Sequence, residues 1–136
     1  MSVVLALDPG ERRTGFAVCD AGETLATPLS THDRRRDGSL LDFVREICVQ
    51  RGVERILVGH AITAQGTREG SAQRGELLAS KLRRATGLPV ELVDERYSSA
   101  AADAILRGSK RPKEDRDAIA AAFILQQWLE SRRPNS

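Results

Sequence analysis

Apolar residues fall into two patterns along the chain, and each pattern predicts a different kind of element. Short continuous apolar runs predict strands that are covered on both faces, because such strands have no polar face. Apolar residues that recur every three or four positions predict helices with one buried face. The predicted strands are, in chain order, Val3–Leu7, Gly15–Cys19, Thr24–Ser30 with a break at Pro28, Arg55–Gly59 and Pro89–Val93.

Four helices are predicted between and after these strands. Serine commonly caps the first turn of a helix and glycine commonly follows the last turn, which helps to locate the ends. The predicted helices are one that carries Leu40, Leu41, Val44, Ile47 and Cys48 and stops at Gly52, a second over Ser71–Thr86, a short alanine-rich third from Ser98 or Ser99 to near Gly108, and a last over Asp117–Leu129. Residues Lys110–Glu114, which include Pro112, are predicted to form a loop.

The order of these elements predicts an α/β fold built on a mixed five-stranded sheet. The turns at Pro9-Gly10 and Asp20–Glu23 are too short for a crossover, so the first three strands form an antiparallel meander. Helical crossovers then add the last two strands in parallel, with helices on both faces of the sheet. The RNase H-like architecture has this order of elements, with the first strand central. We expect a single domain of this kind over residues 1–136.

Composition supports a folded globular chain and excludes several other classes. The 136 residues are 40% apolar and 29% charged, unlike a disordered chain. No apolar run reaches the roughly 18 residues needed to span a bilayer. The run after Met1 has no basic residue before it and is followed by Asp8, which favours a strand over a secretory signal. We therefore expect a cytoplasmic location.

Cysteine and histidine are too scarce to build a disulfide scaffold or a Cys/His metal site. Cys19 and Cys48 are predicted to be reduced residues in or near the core, and the only histidines are His32 and His60. A metal would therefore need carboxylate ligands. The net charge of +2 does not by itself indicate nucleic acid, but 18 of the 21 basic residues are arginine, whose planar fork suits phosphate. A high-GC genome would also favour arginine codons, and both explanations stay open.

Three carboxylates are candidates for chemistry. Asp8 ends the first buried strand, Glu95 follows the fifth strand, and Asp117 lies on the small apolar face of the last helix. Each has a structural alternative: a turn at Asp-Pro-Gly, a solvated strand end, and an acid favoured by the helix dipole. Asp115 fits the role of helix cap better than Asp117 does.

The predicted fold would bring these three acids together at one edge of the sheet. Converging carboxylates repel one another, and hard divalent cations such as Mg²⁺ or Mn²⁺ relieve that repulsion through oxygen ligands. Two such ions roughly 3.5–4 Å apart can activate water and stabilise the leaving oxygen in phosphodiester hydrolysis. The acids therefore indicate a metal-dependent nuclease that needs no protein nucleophile.

Four segments resemble the RuvX/YqgF family of RNase H-like nucleases. They are LALDPGERRTGFA at Leu5–Ala17, VGHAITAQGT at Val58–Thr67, DERYSSA at Asp94–Ala100 and DAIAAA at Asp117–Ala122, in family order over nearly the whole chain. The resemblance implies a nuclease that acts as a Holliday junction resolvase, or on the 5′ end of pre-16S rRNA, or on both. It also implies that Asp8, Glu95 and Asp117 are the metal-binding catalytic acids.

The chain departs from the family pattern at a few positions. The second segment carries His60-Ala61, Thr63 and Gln65 where the family usually has Leu-Pro, Asn and Asp, which bears on substrate contacts and leaves the proposed metal ligands intact. Ser99 replaces a more usual threonine, and Glu11 adds a carboxylate near Asp8. His60 is either a structural hydrogen-bonding residue or a contact to phosphate at the site.

The nucleic-acid surface is predicted near the last helix and near the first turn. Only five aromatic residues are present, so recognition should depend on phosphates and shape and not on base stacking. The run from 107 to 113 contains no acid, although a solvated loop is the alternative for it. The candidate binding residues are Arg12, Arg13, Arg96, Ser98, Ser99, Arg107, Lys110, Arg111 and Lys113.

Two rival functions are compatible with parts of the pattern. An actin-like phosphotransferase also begins with an Asp and Gly turn, but such enzymes close two domains over ATP and this chain predicts one. A non-catalytic RNA- or DNA-binding module in ribosome assembly is the stronger alternative. Branched DNA and precursor rRNA both remain open as substrates, and resolution of a junction by symmetric cuts would require a homodimer.

Overall fold

A computed structural model describes residues 3–19, 25–60, 69–94 and 113–132 of the chain. The strands in these ranges are β1 (Val3–Pro9), β2 (Arg13–Cys19), β3 (Ala26–Asp33), β4 (Val53–His60) and β5 (Val90–Asp94). The helices are α1 (Arg34–Asp37), α2 (Leu40–Arg51), α3 (Glu69–Thr86) and α4 (Lys113–Ser131). The short helix predicted from Ser98 or Ser99 to Gly108 lies outside the described residues.

The five strands form one mixed sheet in the order β3-β2-β1-β4-β5. β1 pairs with β2 and β2 with β3 in antiparallel fashion, whereas β4 runs parallel to both β1 and β5. This confirms the predicted meander with two added parallel strands and the central position of the first strand. A continuous apolar strand such as β1 belongs at the centre, where helices cover both of its faces.

Alternation along the strands divides the core into two layers. Leu5 and Leu7 of β1 pack with α2 and α3, whereas Val4 and Ala6 pack against α4. The layer under α2 and α3 is built mainly from large aliphatic residues and Phe16. The layer under α4 contains small residues such as Ala121, which let that helix lie close to the sheet. Helices therefore cover both faces, as the sequence predicts.

The two cysteines are buried in different layers. Cys19 packs in the layer under α4, and Cys48 packs in the layer under α2 and α3. Burial raises the pKa of the Cys48 thiol to about 11. The prediction that both cysteines lie in or near the core is confirmed, and the sheet stands between them.

The last helix begins earlier than the sequence predicts. It starts at Lys113, so the predicted loop Lys110–Glu114 is wrong for Lys113 and Glu114, and Asp115 lies in the first turn instead of acting as the cap. Acids in the first turn are favoured by the helix dipole, and a preceding Pro112 is compatible with a helix start. Asp117 is consequently one turn into the helix.

The first part of the chain also differs from the prediction in its boundaries. β3 extends to Asp33, three residues beyond the predicted end, and the unpredicted turn of helix α1 follows it directly. Asp33 caps α1 by accepting a hydrogen bond from the backbone N–H of Arg35. β4 likewise extends one residue further than predicted, so His60 is its last residue.

Two hydrogen bonds near the C-terminal end of α4 fix this helix across the sheet. The indole N–H of Trp128 donates to Glu91 of β5 at 3.1 Å, and the Gln126 side-chain oxygen accepts from the backbone N–H of Ala26 at 2.9 Å. Contacts to both outer strands, β5 and β3, leave the helix little freedom to rotate on the sheet. None of the helices in the described ranges is long and apolar enough to cross a membrane.

Gly15 is the point at which the N-terminal part of α4 meets β2. A Cβ atom at this position would collide with the backbone carbonyl group of Asp117 and would stand 2.8 Å from the backbone nitrogen of Ala118. Both obstacles are backbone atoms and cannot move aside as a flexible side chain can. Glycine in a strand interior is a known mark of such a close approach.

We predict that Gly15→Ala strongly destabilises the fold. The added methyl group must push α4 away from the sheet, and overpacking at a rigid contact should cost about 3 kcal/mol or more. Urea unfolding followed by circular dichroism would measure the loss. Gly87→Ala is the control, because Gly87 has φ +73° and open space around it, so only backbone strain of about 1 kcal/mol is expected. Equal losses in the two variants would contradict the packing explanation.

Candidate active site

Asp8 lies at the carboxyl end of the central strand, on the face covered by α4. Its position along β1 has the same parity as Val4 and Ala6, which pack in the layer under α4. Its partner on β2 is Gly15, and on the other side the pairing of Leu7 with Val58 puts Gly59 next along β4. Neither neighbouring strand places a side chain beside Asp8 on this face, and the backbone of α4 occupies the space at Gly15.

Asp117 reaches the same place from the helix. Its backbone carbonyl group packs directly on Gly15, which is the cross-strand partner of Asp8. The two acids are separated by more than one hundred positions in sequence, yet both adjoin one glycine. The structure therefore brings together two of the three predicted acids.

Arg13 holds the Asp117 carboxylate. The guanidinium Nε lies 3.1 Å from Oδ2 of Asp117, and about 30% of each side chain is exposed. A predicted nucleic-acid contact is thus paired with a predicted metal ligand. The pair gives this carboxylate a positive partner within the protein, next to Asp8.

Arg12 is bound at the other side of the same turn. Its Nε donates to both carboxylate oxygens of Asp33, at 3.2 and 3.1 Å, while about half of the Arg12 side chain stays exposed. The Arg12 hydrogen bond, followed by that from the Arg35 backbone, holds the pKa of Asp33 below its usual value. The turn between β1 and β2 is also closed by the Gly10 N–H, which donates to the Arg13 carbonyl at 2.8 Å.

The remaining predicted site residues lie mostly outside the described residues. This holds for Glu95, Arg96, Ser98, Ser99, Arg107, Lys110 and Arg111. Lys113 is the first residue of α4. His60 ends β4 with the parity of Val58, which packs under α2 and α3, so its place is on the opposite face from Asp8.

The donor set near Gly15 suits a hard divalent cation. Asp8 and Asp117 offer only carboxylate oxygens, which Mg²⁺ and Mn²⁺ prefer. Gly59 supplies no side chain beside Asp8, and Gly15 lets the backbone of Asp117 approach the same place. Within the part of the chain that the structure describes, no group of three potential metal ligands occurs. Asp8 and Asp117 therefore suit such an ion as two of its ligands, and further ligands would be needed to complete the site.

Two residues that shape the site were missed by the sequence reasoning. The apolar pattern predicts Gly15 only as the start of a strand, although a glycine between Thr14 and Phe16 in a strand signals a close backbone approach. Asp33 was not singled out, and its partner Arg12 is 21 positions away. No local pattern would have indicated that ion pair.

The sheet order and the two acids beside Gly15 define the class of protein as RNase H-like, and comparison with solved structures agrees. A Thermus thermophilus RuvC structure in complex with a Holliday junction substrate has a TM-score of 0.59 to this chain. The alignment covers 96% of this chain and 95% of that one, at 20% identity. A second T. thermophilus RuvC structure gives a TM-score of 0.58 at the same identity and coverage. At this identity the likeness establishes the fold.

The family follows from the sequence comparison. The family model described as "RuvX: Holliday junction resolvase" matches residues 2–131, and the chain belongs to this family. A relative from Thermosynechococcus vestitus, named "Putative pre-16S rRNA nuclease", is 43% identical over 97% of this chain and 90% of its own length. A Chloroflexus aurantiacus relative with the same name is 39% identical over 98% of this chain and 90% of its own length. These names and the fold support a nuclease.

The carboxylates around α1 predict how stability depends on pH. Hydrogen bonds from Arg36 and then from the Asp33 backbone N–H lower the pKa of Asp37 from 3.8 to about 2. A lowered folded-state pKa stabilises the fold fully above pH 4 and ceases to do so as pH falls to about 2. We expect Asp37→Asn to lower the urea midpoint at pH 7, with the difference from the parent vanishing near pH 2. A difference that is constant with pH would contradict this assignment.

The pair between Arg13 and Asp117 is expected to contribute little to stability. Because both side chains are partly exposed, a double-mutant cycle with Arg13→Gln and Asp117→Asn should give a coupling free energy of unfolding below about 1 kcal/mol. Urea unfolding of the four proteins measures it. A small coupling means that Asp117 can exchange Arg13 for another cation. A coupling of about 3 kcal/mol or more would identify the pair as a structural element instead.

Proposed function

We propose that this protein is a divalent-metal-dependent endonuclease that hydrolyses phosphodiester bonds of structured nucleic acid. One observation carries the proposal: Asp8 and Asp117 adjoin the same glycine on one face of the sheet. Two acids held by a central strand and a rigidly anchored helix are suited to binding metal ions at fixed positions. Membership of the family with a model described as a Holliday junction resolvase supports the same chemistry.

Glu95 is the third acid of the proposed site. In β5, Glu91 bonds to Trp128 of α4 and Val93 packs in the same layer, so odd positions of this strand serve the face of Asp8. Glu95 is the next odd position in the sequence. Its inclusion would complete a set of three carboxylates, which suits Mg²⁺ or Mn²⁺.

The proposed roles divide between the metal and the chain. When bound, divalent ions supply an activated water and stabilise charge on the phosphate, as in two-metal nucleases. Asp8 and Asp117 would hold the ions, and the tight contact of α4 with Gly15 fixes the placement of the two acids relative to each other. Arg13, which pairs with Asp117 in this structure, lies at the edge of the proposed site and would bind a phosphate oxygen of the substrate there.

Precursor 16S rRNA is the substrate that we favour. The relatives at 39–43% identity carry a name that refers to pre-16S rRNA. A four-way DNA junction is the second candidate, because the family description refers to Holliday junctions. Cutting a junction symmetrically would require a homodimer. Measuring the cleavage rates of the rRNA precursor and of the four-way junction with one protein preparation, at matched concentrations, distinguishes the two candidates.

We propose further that the chain binds its substrate mainly through phosphates. Arginine and lysine residues that precede or begin α4 in the sequence would contact the phosphates of the nucleic acid near Asp117. The residues in this role are Arg96, Arg107, Lys110, Arg111 and Lys113, with the hydroxyls of Ser98 and Ser99 and the turn residues Arg12 and Arg13.

We predict that Asp8→Asn, Glu95→Gln and Asp117→Asn each reduce cleavage by at least about 10–100-fold. Each change keeps the shape of the side chain and removes the charge that holds the metal. Cleavage of a labelled pre-16S rRNA 5′ fragment with Mg²⁺ or Mn²⁺ is the measurement. Glu54→Gln, an exposed acid at the opposite end of β4, is the matched control and should cut at the parental rate. Parental activity in any one acid variant would remove that residue from the site.

Metal exchange and removal distinguish the nuclease from a non-catalytic binding module. Ca²⁺ should not replace Mg²⁺, because it accepts more ligands in a looser geometry and does not align the attacking water. Excess EDTA should abolish cleavage while the fold, measured by circular dichroism, is retained. Cleavage that survives EDTA would refute the metal mechanism. Binding of both substrates without any cleavage in Mg²⁺ or Mn²⁺ would favour the binding module.

A further inference from the structure

A cleft of about 620 Å³ lies on the opposite face of the sheet from Asp8. It opens at the carboxyl ends of β1 and β4, under the turn between β1 and β2 and beside the part of α3 that carries Arg74, Gly75 and Leu78. Its polar lining consists of Glu11, Thr14, Arg34, His60 and Arg74. No role in the proposed hydrolysis involves this cleft.

Strand alternation explains why these residues face away from the acids. Thr14 has the parity of Phe16 along β2, and Phe16 packs under α2 and α3. His60 has the parity of Val58 along β4. Gly59 therefore belongs to the face that carries the acids, and the next residue, His60, belongs to the face that carries the cleft.

Gly75 brings α3 against the end of β4. A Cβ at this position would stand 3.7 Å from the Cβ of His60 and 3.1 Å from Cδ2 of Leu92. A helix that approaches this closely carries Arg74, its neighbouring residue, into the wall of the cleft. Arg34 enters from the other side at the start of α1, and its backbone N–H donates to the Arg12 carbonyl at 3.0 Å.

The charges in the cleft favour an anion. Arg34 and Arg74 form no ion pair within the described residues, whereas Arg12 and Arg36 of the same region are bound to Asp33 and Asp37. Glu11 is the only acid in the described lining, so two arginines outweigh it. Guanidinium groups without acidic partners are free to bind the oxygens of a phosphate.

The His60 ring adds a polar atom that lacks a partner. Its Nδ1 is buried and makes no hydrogen bond in the part of the chain that the structure describes. A buried polar atom without a partner is unfavourable, so a ligand that supplies a partner for it is bound more tightly. A phosphate oxygen would accept a hydrogen bond from the Nδ1–H tautomer.

We propose that this cleft is a second phosphate-binding site, in which Arg34, Arg74 and His60 bind one phosphate of a nucleic acid strand. The strand would pass around the turn between β1 and β2, with one phosphate near the acids and another in the cleft. This inference rests on the proposed function in one respect only, namely that the phosphate belongs to a nucleic acid strand. The same chemistry would also bind inorganic phosphate or a free mononucleotide.

The test measures binding in EDTA, so that hydrolysis plays no part. The probe is a fluorescently labelled single-stranded oligonucleotide, titrated with protein at several salt concentrations. In Arg34→Gln/Arg74→Gln the slope of log affinity against log salt should fall by about 0.7, the value for the loss of one phosphate contact on a single strand. The matched control is Arg35→Gln/Arg84→Gln, which removes the same charge from exposed arginines outside the cleft lining and should keep the parental slope.

Nitrogen NMR of the histidine rings provides a second measurement on the unaltered protein. The Nδ1 signal of His60 should shift on addition of the oligonucleotide. His32 is an internal reference, because its ring is fully buried and its Nε2 lies 3.0 Å from the carbonyl oxygen of Gly38. A shift with inorganic phosphate or 5′-AMP at concentrations similar to those of the oligonucleotide would identify a small-anion site and overturn the assignment to a strand.

The outcomes separate this inference from the proposed function. Equal slopes in the cleft and control variants, with a His60 signal that does not respond to any probe, would overturn the cleft proposal whatever the cleavage assays give. A reduced slope and a shifted His60 signal would support it even if no metal ion supports cleavage. In that case the protein binds nucleic acid through the cleft, and the nuclease proposal fails alone.

Discussion

The contact between Gly15 and the backbone of Asp117 is the constraint on which the candidate site depends. It sets how closely α4 can lie on β2, and hence where a carboxylate carried by that helix meets the end of β1. Small residues in the layer below α4 allow the approach, and the bonds of Trp128 and Gln126 at the far end keep the helix at a fixed angle. The geometry of the acids is therefore determined by packing over the whole length of one helix.

The sequence was most informative where the hydrophobic pattern alone determines structure. The continuous run at the start of the chain predicted the central strand, and the short turns predicted the meander, because both depend on neighbouring residues. The start of α4 was misplaced because Pro112 resembles a loop signal, while its compatibility with a first turn depends on the residues after it. The acids Glu114 and Asp115 favour a helix start before them, because acidic side chains are stabilised in the first turn of a helix.

The hydrophobic pattern of the sequence does not predict ion pairs between residues that are far apart in the chain. Arg12 and Arg13 are adjacent and chemically identical, yet one binds Asp33 and the other binds Asp117. Neighbouring residues in a strand or at its edge point to different sides, so their partners depend on elements that fold from distant parts of the chain. Asp8 and Asp117 were predicted to converge, and the structure brings them to one glycine, whereas Glu95 lies outside the described residues.

The placement of Cys19 and Cys48 in separate layers gives each half of the core its own chemical reporter. A buried thiol reacts with an alkylating reagent only when its surroundings open, and the rate of reaction then measures the free energy of that opening. Labelling of Cys19 would follow separation of α4 from the sheet, and labelling of Cys48 would follow loosening of α2. Peptide mapping of the label would show whether the two layers open together or one before the other, with no residue replaced.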